Sequence, residues 1–347
     1  MRAAVLNKGK ILVRDDVEEP KPGVGQALVE VKACGICGSD LHFAKHGASM
    51  LALGKEMAGP LSPESTLDLD RDVYMGHEFS AELLDLGPDT ESPIKPGTLV
   101  TALPVLMGAG GIEPIVYSNT TKGGYGERML LTAPLLLEVP NGLPAEHAAL
   151  TEPMAVGLHG VNKGNVKQGE GAIVLGAGPV GLACIAALKV KGIGPIVAAD
   201  FSPARRALAV TMGADEAVDP REETAWAAWT RAGKGRTPVI FEAIGVPGII
   251  NDIMRSAPAG ARVVVVGVCM ENDTINPFFG ISKELNIQFA LGYDPMEFAG
   301  SLRSIAEGEI DVAPMVTAEV GLDEVGWAFD ALGNPEEHCK ILVTPNG

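Results

Sequence analysis

The pattern of apolar and polar residues changes near position 154. Before that point, short β-rich runs are separated by Pro and Gly: AAVL, QALVEVKA, EFSAELLDLG, TLVTAL, ERMLL and LLLEVP. After it, apolar strands (AIVLG, PIVAAD, VIFEA, ARVVVVGV) alternate with helical stretches such as PVGLACIAALKVKG and SPARRALAVTMGA. The first pattern predicts a small barrel or sandwich, and the second a doubly wound parallel sheet. We therefore expect an α/β protein of two domains.

Composition fits this picture and narrows the class of protein. The chain has 347 residues, of which 46% are hydrophobic and 20% charged, as in soluble globular proteins. Its formal charge of −17 argues against nucleic-acid and anionic membrane partners. Five scattered cysteines form no disulfide framework, which suits a reducing compartment. The uncharged run 171–188 is broken by Gly and Pro, so it predicts a buried strand, a turn and a helix rather than a membrane span. The expected location is cytoplasmic.

A dinucleotide-binding signal lies at this strand, turn and helix. Gly176, Gly178 and Gly181 form G-x-G-x-x-G between AIVL and the following helix. Glycines there allow a tight turn, close approach of the backbone to a pyrophosphate, and close helix packing. Asp200 ends the next strand, where a carboxylate accepts hydrogen bonds from ribose hydroxyls and repels a 2′-phosphate. The order of these elements predicts NAD, although the nearby Arg205 and Arg206 leave NADP open.

A metal-binding signal lies earlier in the chain. Cys34 and Cys37 have the spacing of half a zinc knuckle, but no second cysteine pair follows them. His77 and Glu78 come at a glycine turn before a strand, and Glu152 directly precedes the parallel-sheet region. One thiolate, one imidazole and one carboxylate make a three-ligand zinc site with an open position, which is the catalytic form.

With these motifs together, the chain resembles the zinc-dependent medium-chain dehydrogenase/reductase family, in its sorbitol and 2,3-butanediol dehydrogenase branch. The matching segments are CGICGSDLH, GHEFS, GGYGER, TEPMAVGLHG, GAGPVGL and CKILVTP, in this order along nearly the whole chain. The resemblance implies a GroES-like β-barrel catalytic domain at 1–153, completed by 293–347, and a Rossmann domain at 154–292. It also implies NAD contacts at the glycine motif, including Pro179 and Val180, and at Arg205.

The resemblance also implies which residues bind zinc. Cys37 is the thiolate ligand and His77 the imidazole ligand, while Cys34 is expected to be a small buried side chain. The third ligand stays open between Glu152 and Glu78, one of which contacts the metal directly while the other acts through water.

A proton relay is the next implication of the resemblance. Ser39 takes the proton of the alcohol and passes it through the nicotinamide ribose to His42, while the alcohol carbon delivers hydride to the nicotinamide. Asp40 is expected to orient a metal ligand. Lys340 matches a position where a cation meets the cofactor pyrophosphate, with a solvated surface lysine as the alternative. The histidines at 46, 147, 159 and 338 are expected to be structural or on the surface.

The chain departs from the family in two segments. Residues 101–122 lack the four cysteines that bind a second, structural zinc in many members, so we expect one catalytic zinc and no structural one. Residues 43–76 have no clear period and are expected to cover the site, although their Met and Leu residues could equally form a small satellite core. If the segment covers the site, the apolar Met50, Leu51, Leu53 and Met57 favour a less polar alcohol than a sugar. Family members are commonly dimers or tetramers joined through Rossmann sheet edges, and ARVVVVGVCM reads equally as an edge or a central strand.

The main prediction is an NAD-dependent zinc alcohol dehydrogenase acting on a secondary alcohol, diol or polyol. A zinc-free, NADPH-dependent reductase of the same superfamily is the first alternative, but it would not need Cys37, His77 and Glu152 together. A non-enzymatic nucleotide-binding protein is the second, and a thiol redox module using Cys34 and Cys37 is the third.

Overall fold

The computed structural model describes residues 1–58, 67–108 and 110–346. The chain divides into two compact units. The first contains Met1–Glu152, Val316–Asn334 and Lys340–Gly347, and the second contains Pro153–Met315 and Pro335–Cys339. Residues 59–66, which belong to the segment expected to cover the site, lie outside the described residues.

Short strands dominate the N-terminal part of the first unit. In chain order, its elements and the helix that leaves it are β1 (Ala3–Asn7), β2 (Lys10–Arg14), β3 (Gln26–Gly35), α1 (Gly38–Ala58), β4 (Val73–Tyr74), β5 (Glu78–Leu86), β6 (Leu99–Ala102), β7 (Val105–Gly108), β8 (Gly111–Pro114), β9 (Arg128–Thr132), β10 (Leu136–Glu138), α2 (Ala145–Ala148) and α3 (Thr151–Lys163). The strands predicted from the apolar runs are all present, at bounds shifted by a few residues.

Strands and helices alternate in the second unit. They are β11 (Ala172–Leu175), α4 (Pro179–Val190), β12 (Ile196–Ala199), α5 (Pro203–Thr211), β13 (Glu216–Val218), α6 (Ala225–Ala232), β14 (Val239–Glu242), α7 (Ile249–Ser256), β15 (Arg262–Val265), α8 (Pro277–Lys283), β16 (Asn286–Phe289) and α9 (Pro295–Ala306). The chain then returns to the first unit through β17 (Val316–Val320), α10 (Val325–Ala331) and β18 (Lys340–Val343).

The main sheet of the first unit places the N- and C-terminal parts of the chain side by side. Its strand order is β10-β6-β5-β3-β18-β17, with β9 also paired to β3. Alternate residues of β3 are buried, including Ala27, Val29 and Val31. This alternation is expected of a strand that packs one face against a hydrophobic core. Because β18 runs antiparallel beside the end of β3, the last strand of the chain lies against the CGICG segment.

Helix α1 differs from the expectation for residues 43–76. The structure has a helix from Gly38 to Ala58 with a kink at His46, so 43–58 is helical rather than irregular. Asp40, Phe43 and Gly47 are buried at helical spacing, and this short buried stripe holds the first half of the helix on the core. The helical period is hard to recognise in the sequence, because α1 contains glycines at positions 47 and 54 and its second half is largely exposed.

The sheet of the second unit is parallel, with strand order β13-β12-β11-β14-β15-β16. Its central strands are uninterrupted apolar runs; all four residues of β11 are buried, as in sheets covered on both faces. The alternative that ARVVVVGVCM forms the edge is wrong, since β15 pairs with β14 on one side and β16 on the other.

The second unit continues past the predicted boundary at 292 to Met315. Helix α9 belongs to it because Glu297, in a capping box with Asp294, also contacts two residues of α3: His159 Nδ1 at 2.7 Å and Asn162 Nδ2 at 2.7 Å. This places His159 in a structural role, as expected. Within the described residues, every helix is too short or too polar to cross a membrane.

Candidate active site

Three potential metal ligands converge in the first unit. One ligand atom from each of Cys37, His77 and Glu78 lies within 4.8 Å of the other two. Cys37 is partly exposed, whereas His77 and Glu78 are buried. A thiolate, an imidazole and a carboxylate are the donors found in catalytic zinc sites. This donor set therefore fits the ion that the sequence predicts.

Two glycines let the chain bring these donors together. Gly76 has φ +98°, and a Cβ there would lie 2.8 Å from the backbone nitrogen of Tyr125, so the turn before His77 requires glycine. Gly35 pairs with Glu78 across β3 and β5, and a Cβ on Gly35 would lie 2.0 Å from Glu78 Oε2. The glycine of CGICG thus leaves room for the Glu78 carboxylate.

Lys340 is buried against this carboxylate. Its Nζ donates to Glu78 Oε1 at 2.8 Å, to Glu78 Oε2 at 2.7 Å and to the Ile36 carbonyl at 3.0 Å, while both charged side chains are 1% exposed. The expectation of a solvated lysine is wrong. The predicted contact with the cofactor pyrophosphate is not supported either, because these contacts engage all three N–H groups of the ammonium. This ion pair could not be predicted from the sequence, because Lys340 and Glu78 are 262 residues apart in the chain.

Asp40 lies where it can orient His77. Its Oδ2 accepts hydrogen bonds from the Tyr125 hydroxyl at 2.7 Å and the Cys37 backbone N–H at 3.1 Å. Its Oδ1 lies 3.6 Å from His77 Nδ1, and neither of these two buried atoms has a hydrogen-bond partner among the described residues. A carboxylate behind a ligating imidazole fixes the ring orientation and strengthens its donor nitrogen.

Negative charge surrounds His77. Burial alone would lower the pKa of His77, but the nearby Asp40, Cys37 and Glu152 raise it well above its ordinary value. Glu152, at the start of α3, is 9% exposed and acts on His77, yet it is outside the group of three close donor atoms. The negative groups around His77 thus create the potential that favours a bound cation in this pocket.

Cys34 is inert. Its side chain is fully buried, and burial, followed by the charges of Glu78 and Asp40, raises the pKa of the thiol well above its usual value. The expectation of a small buried side chain is confirmed. A redox pair with Cys37 would need an accessible, acidic thiol, so the structure argues against the thiol redox alternative.

The first turns of α1 carry Ser39 and His42. Burial, with contributions from His46 and Lys45, lowers the pKa of His42, so its imidazole is neutral and able to accept a proton near neutral pH.

Tyr117, which the sequence did not single out, stacks on Phe43 of the same helix with ring centroids 3.8 Å apart. Tyr117 belongs to no recognised motif, so its position beside α1 could be found only from the packing in the structure.

Gly176 and Gly181 of the glycine motif in the second unit have the expected steric roles. Gly176 has φ +92°, and a Cβ on Gly181 would lie 1.9 Å from the Gly176 carbonyl oxygen, so the turn and helix α4 meet too closely for any side chain. Helix α4 begins at Pro179, with Gly178 as N-cap, and Val180 follows in its first turn. Its free N–H groups are suited to phosphate.

Asp200 lies beside this turn. Its Oδ2 accepts a hydrogen bond from the Ala177 N–H and its Oδ1 from the Ser202 N–H, both at 2.8 Å. Arg206 is engaged by Asp219 and by the carbonyls of residues 200 and 201, whereas Arg205 Nη1 points toward Gly178. A largely apolar cavity of about 510 Å³, with Trp226 in its wall, opens next to Asp200.

Known proteins share both halves of this architecture. Residues 23–141 match the alcohol dehydrogenase GroES-like domain, and residues 179–307 match the zinc-binding dehydrogenase domain. (R,R)-Butanediol dehydrogenase of Bacillus subtilis (strain 168) is 33% identical over the full length of both chains. Sorbitol dehydrogenase of the same organism is 26% identical over 100% of this chain and 98% of its own. A crystal structure of 2R,3R-butanediol dehydrogenase from Bacillus subtilis aligns with a TM-score of 0.82 at 31% identity, covering 99% of each chain.

The chain therefore belongs to the zinc-dependent alcohol dehydrogenase family, in the branch that contains the butanediol and sorbitol dehydrogenases. It is an enzyme, an oxidoreductase with a GroES-like domain and a Rossmann domain that uses zinc and a nicotinamide cofactor. The family prediction and the fold prediction from the sequence are confirmed.

Proposed function

We propose that this enzyme oxidises a secondary alcohol of the vicinal diol or polyol class with NAD, using one catalytic zinc. The observation that carries the proposal is the convergence of Cys37, His77 and Glu78 in a pocket of negative charge. The names of the relatives, butanediol and sorbitol dehydrogenases, support a substrate with adjacent hydroxyl groups.

Cys37, His77 and Glu78 would hold the metal directly. Glu78 is the preferred third ligand because its oxygen belongs to the close group of donor atoms, and a carboxylate paired with Lys340 keeps lone pairs for a cation. Glu152 then acts through water. When bound, zinc is a Lewis acid that lowers the pKa of an alcohol. Asp40 holds His77 in the orientation that binding requires.

Ser39 and His42 serve as the proton relay. Ser39, two residues after the thiolate ligand, accepts the alcohol proton, and His42, one helical turn further, accepts it in turn and exchanges it with solvent. The lowered pKa of His42 supports this role, since an imidazole must be neutral to receive a proton.

NAD is preferred over NADP in this proposal. Asp200 presents a carboxylate with remaining lone pairs beside the glycine turn, where it would accept from ribose hydroxyls and repel a 2′-phosphate. Arg206 is occupied by Asp219, which removes one of the two candidates for phosphate capture. Arg205 reaches toward the glycine turn and supports binding of the cofactor there.

The apolar residues of the segment expected to cover the substrate pocket give only partial support to the prediction of a less polar alcohol. Met50 and Leu51 are partly buried, and Met50 packs on the core of the first unit, whereas Leu53 and Met57 are 41% and 88% exposed. The four apolar residues thus do not form one surface, and the tilt toward a less polar alcohol rests on Met50 and Leu51 alone.

A homo-oligomer joined through β16 is part of the proposal. This strand is the edge of the Rossmann sheet, and Phe289 on it and Leu291 just after it are 64% and 88% exposed. Nearby α8 exposes Phe278 and Ile281 at 67% and 74%. An unpaired edge with large apolar side chains is a ready template for strand pairing, here with a second copy. Light scattering on the protein and on Phe289→Lys tests it: the wild type should be a dimer or tetramer, and a wild-type monomer would contradict it.

The function is tested by a substrate panel with either NAD or NADP. Secondary alcohols, vicinal diols and polyols are assayed before and after metal removal by a chelator, with zinc added back. NAD-linked oxidation that is lost with the metal and restored by zinc is expected. Cys37→Ala should be inactive, while Cys269→Ala, which removes another partly exposed thiol, should be unaffected.

Three outcomes would contradict the proposal. Activity that survives complete metal removal would favour the zinc-free, NADPH-dependent reductase. Binding of the dinucleotide without turnover of any alcohol would favour the non-enzymatic nucleotide-binding protein. Equal use of NADP would show that Arg205 captures the 2′-phosphate and that Asp200 does not exclude it.

A further inference from the structure

Tyr117 holds a phenol against the first turn of α1. Its ring is stacked on Phe43 with an interplanar angle of 10°. Ser39 and Phe43 are four residues apart on this helix and therefore lie on the same face. The Tyr117 ring, which is stacked on Phe43, therefore packs against the face of α1 that also carries Ser39.

The Tyr117 hydroxyl is closed to solvent and has no hydrogen-bond partner among the described residues. A buried hydroxyl without a partner costs about 5- to 160-fold in the folding equilibrium constant relative to one that is hydrogen-bonded. Since the oxygen is inaccessible, neither water nor a substrate hydroxyl reaches it without displacing protein atoms. Its partner must come from a neighbouring side chain.

Ser39 is the neighbour that can complete this bond. Burial raises the pKa of Tyr117, and the charges of Asp40 and Cys37 raise it further, while the Ser39 hydroxyl is close enough to the phenol to interact with it. Asp40 already accepts from Tyr125 and Cys37 on one oxygen and faces His77 with the other. Ser39, by contrast, lies four residues before Phe43 on the face of α1 against which Tyr117 packs, so its Oγ is the hydroxyl oxygen to which the phenol can donate. With its raised pKa, the phenol remains a neutral donor.

We propose that Tyr117 is a positioning residue that donates a hydrogen bond to Ser39 Oγ during proton transfer. The inference rests on the proposed relay through Ser39. A serine oxygen has two lone pairs and one hydrogen. If Tyr117 occupies one lone pair and the alcohol proton takes the other, the hydrogen of Ser39 must point to the next member of the relay. Tyr117 would thereby set the direction of proton transfer.

A double-mutant cycle on the zinc-loaded enzyme tests this role. Tyr117→Phe keeps the ring and its stacking on Phe43 and removes only the hydroxyl. With NAD and either 2-butanol or 2,3-butanediol, it should lower kcat by about 3- to 10-fold, the loss expected for one net hydrogen bond, with little change in KM. In a Ser39→Ala background the same change should have no further effect. Tyr74→Phe, which removes a phenol hydroxyl elsewhere in the same unit, should leave kcat unchanged in both backgrounds.

Two results overturn the inference alone. One is an equal loss from Tyr117→Phe with and without Ser39. The other is a loss confined to 2,3-butanediol and expressed in KM, which would make Tyr117 a substrate contact. A wild-type rate in Ser39→Ala would instead refute the relay itself, and the role of Tyr117 with it. The zinc content and melting temperature of each variant show whether a loss in rate reflects a loss of metal or of folding.

Discussion

The buried Lys340–Glu78 pair should make Lys340→Met strongly destabilising in metal-free protein. Both side chains are 1% exposed, and the ammonium makes contacts of 2.7, 2.8 and 3.0 Å. Methionine fills similar volume but leaves the carboxylate of Glu78 buried without a counter-ion. Breaking a buried pair in this way costs about 3–5 kcal/mol, whereas an exposed pair contributes about 0–1 kcal/mol.

Calorimetry with a chelator present measures this cost. For a unit of about 150–250 residues, each kcal/mol moves the melting temperature by roughly 2–4 °C, so Lys340→Met should lower it by about 6–20 °C. Lys32→Met is the matched control, because Lys32 pairs with Glu30 and Glu82 at side-chain exposures near one third. Its effect should stay within about 1 kcal/mol.

One further variant and one zinc addition separate the effect of charge from that of packing. Lys340→Met combined with Glu78→Gln should recover much of the lost stability, since no unpaired charge remains. Added zinc should raise the melting temperature of Lys340→Met more than that of the wild type, because Glu78 would then face a cation again. A melting temperature for Lys340→Met within about 2 °C of the wild type, equivalent to less than about 1 kcal/mol, would refute the reasoning.

Further predictions concern the relay, the cofactor and the glycine turn. His42→Ala should keep its zinc and lose about 10- to 1,000-fold in kcat near neutral pH; a wild-type rate would dismiss the relay. Because the pKa of His42 is lowered, the wild-type rate should decline only below pH 6.5, as the imidazole becomes protonated, and His42→Ala should lack this limb of the pH profile. Asp200→Ala should narrow the ratio of kcat/KM for NAD over NADP chiefly by weakening NAD, and an unchanged ratio would show that Asp200 does not select the cofactor. Gly181→Ala places a Cβ 1.9 Å from a carbonyl oxygen, so it should impair NADH binding measured by fluorescence; unchanged affinity would contradict the packing argument.

The elements that could be predicted from the sequence carry a strong local period. The β3 run alternates buried and half-buried residues, and the four residues of β11 are all apolar and buried. The glycine turn was also predictable, because Gly176 and Gly181 are each required by local sterics. Cys37 and His77 were predicted from their motifs, with Glu78 and Glu152 as alternatives for the third ligand, and the structure brings the ligand atoms of Cys37, His77 and Glu78 together.

Long-range pairs could not be predicted in the same way. Lys340 meets Glu78 only because β18 inserts beside β3, a strand pairing that joins opposite ends of the chain. Tyr117 likewise reaches α1 through tertiary packing, without a motif of its own. In both cases the residue type was compatible with an ordinary surface position, and only the fold supplied the partner.

Weak local signals account for the other differences. Helix α1 has glycines at positions 47 and 54, and its exposed second half lacks an apolar stripe, so its period is short. Strand β16 carries one partly buried and three exposed residues, and it was not recognised as a strand; this is why β15 could be taken for an edge. The apolar edge that β16 exposes is also what the proposed oligomer would cover.

The zinc content of the purified, metal-replete protein tests the central claim most directly. One catalytic site built from Cys37, His77 and Glu78 predicts about one zinc per chain, since a structural site would need four closed ligands rich in thiolate. In Cys37→Ala both the zinc and the NAD-linked oxidation of alcohols should be lost, while Cys269→Ala retains both. A tightly held zinc that survives in Cys37→Ala, or full activity in that variant, would contradict the account.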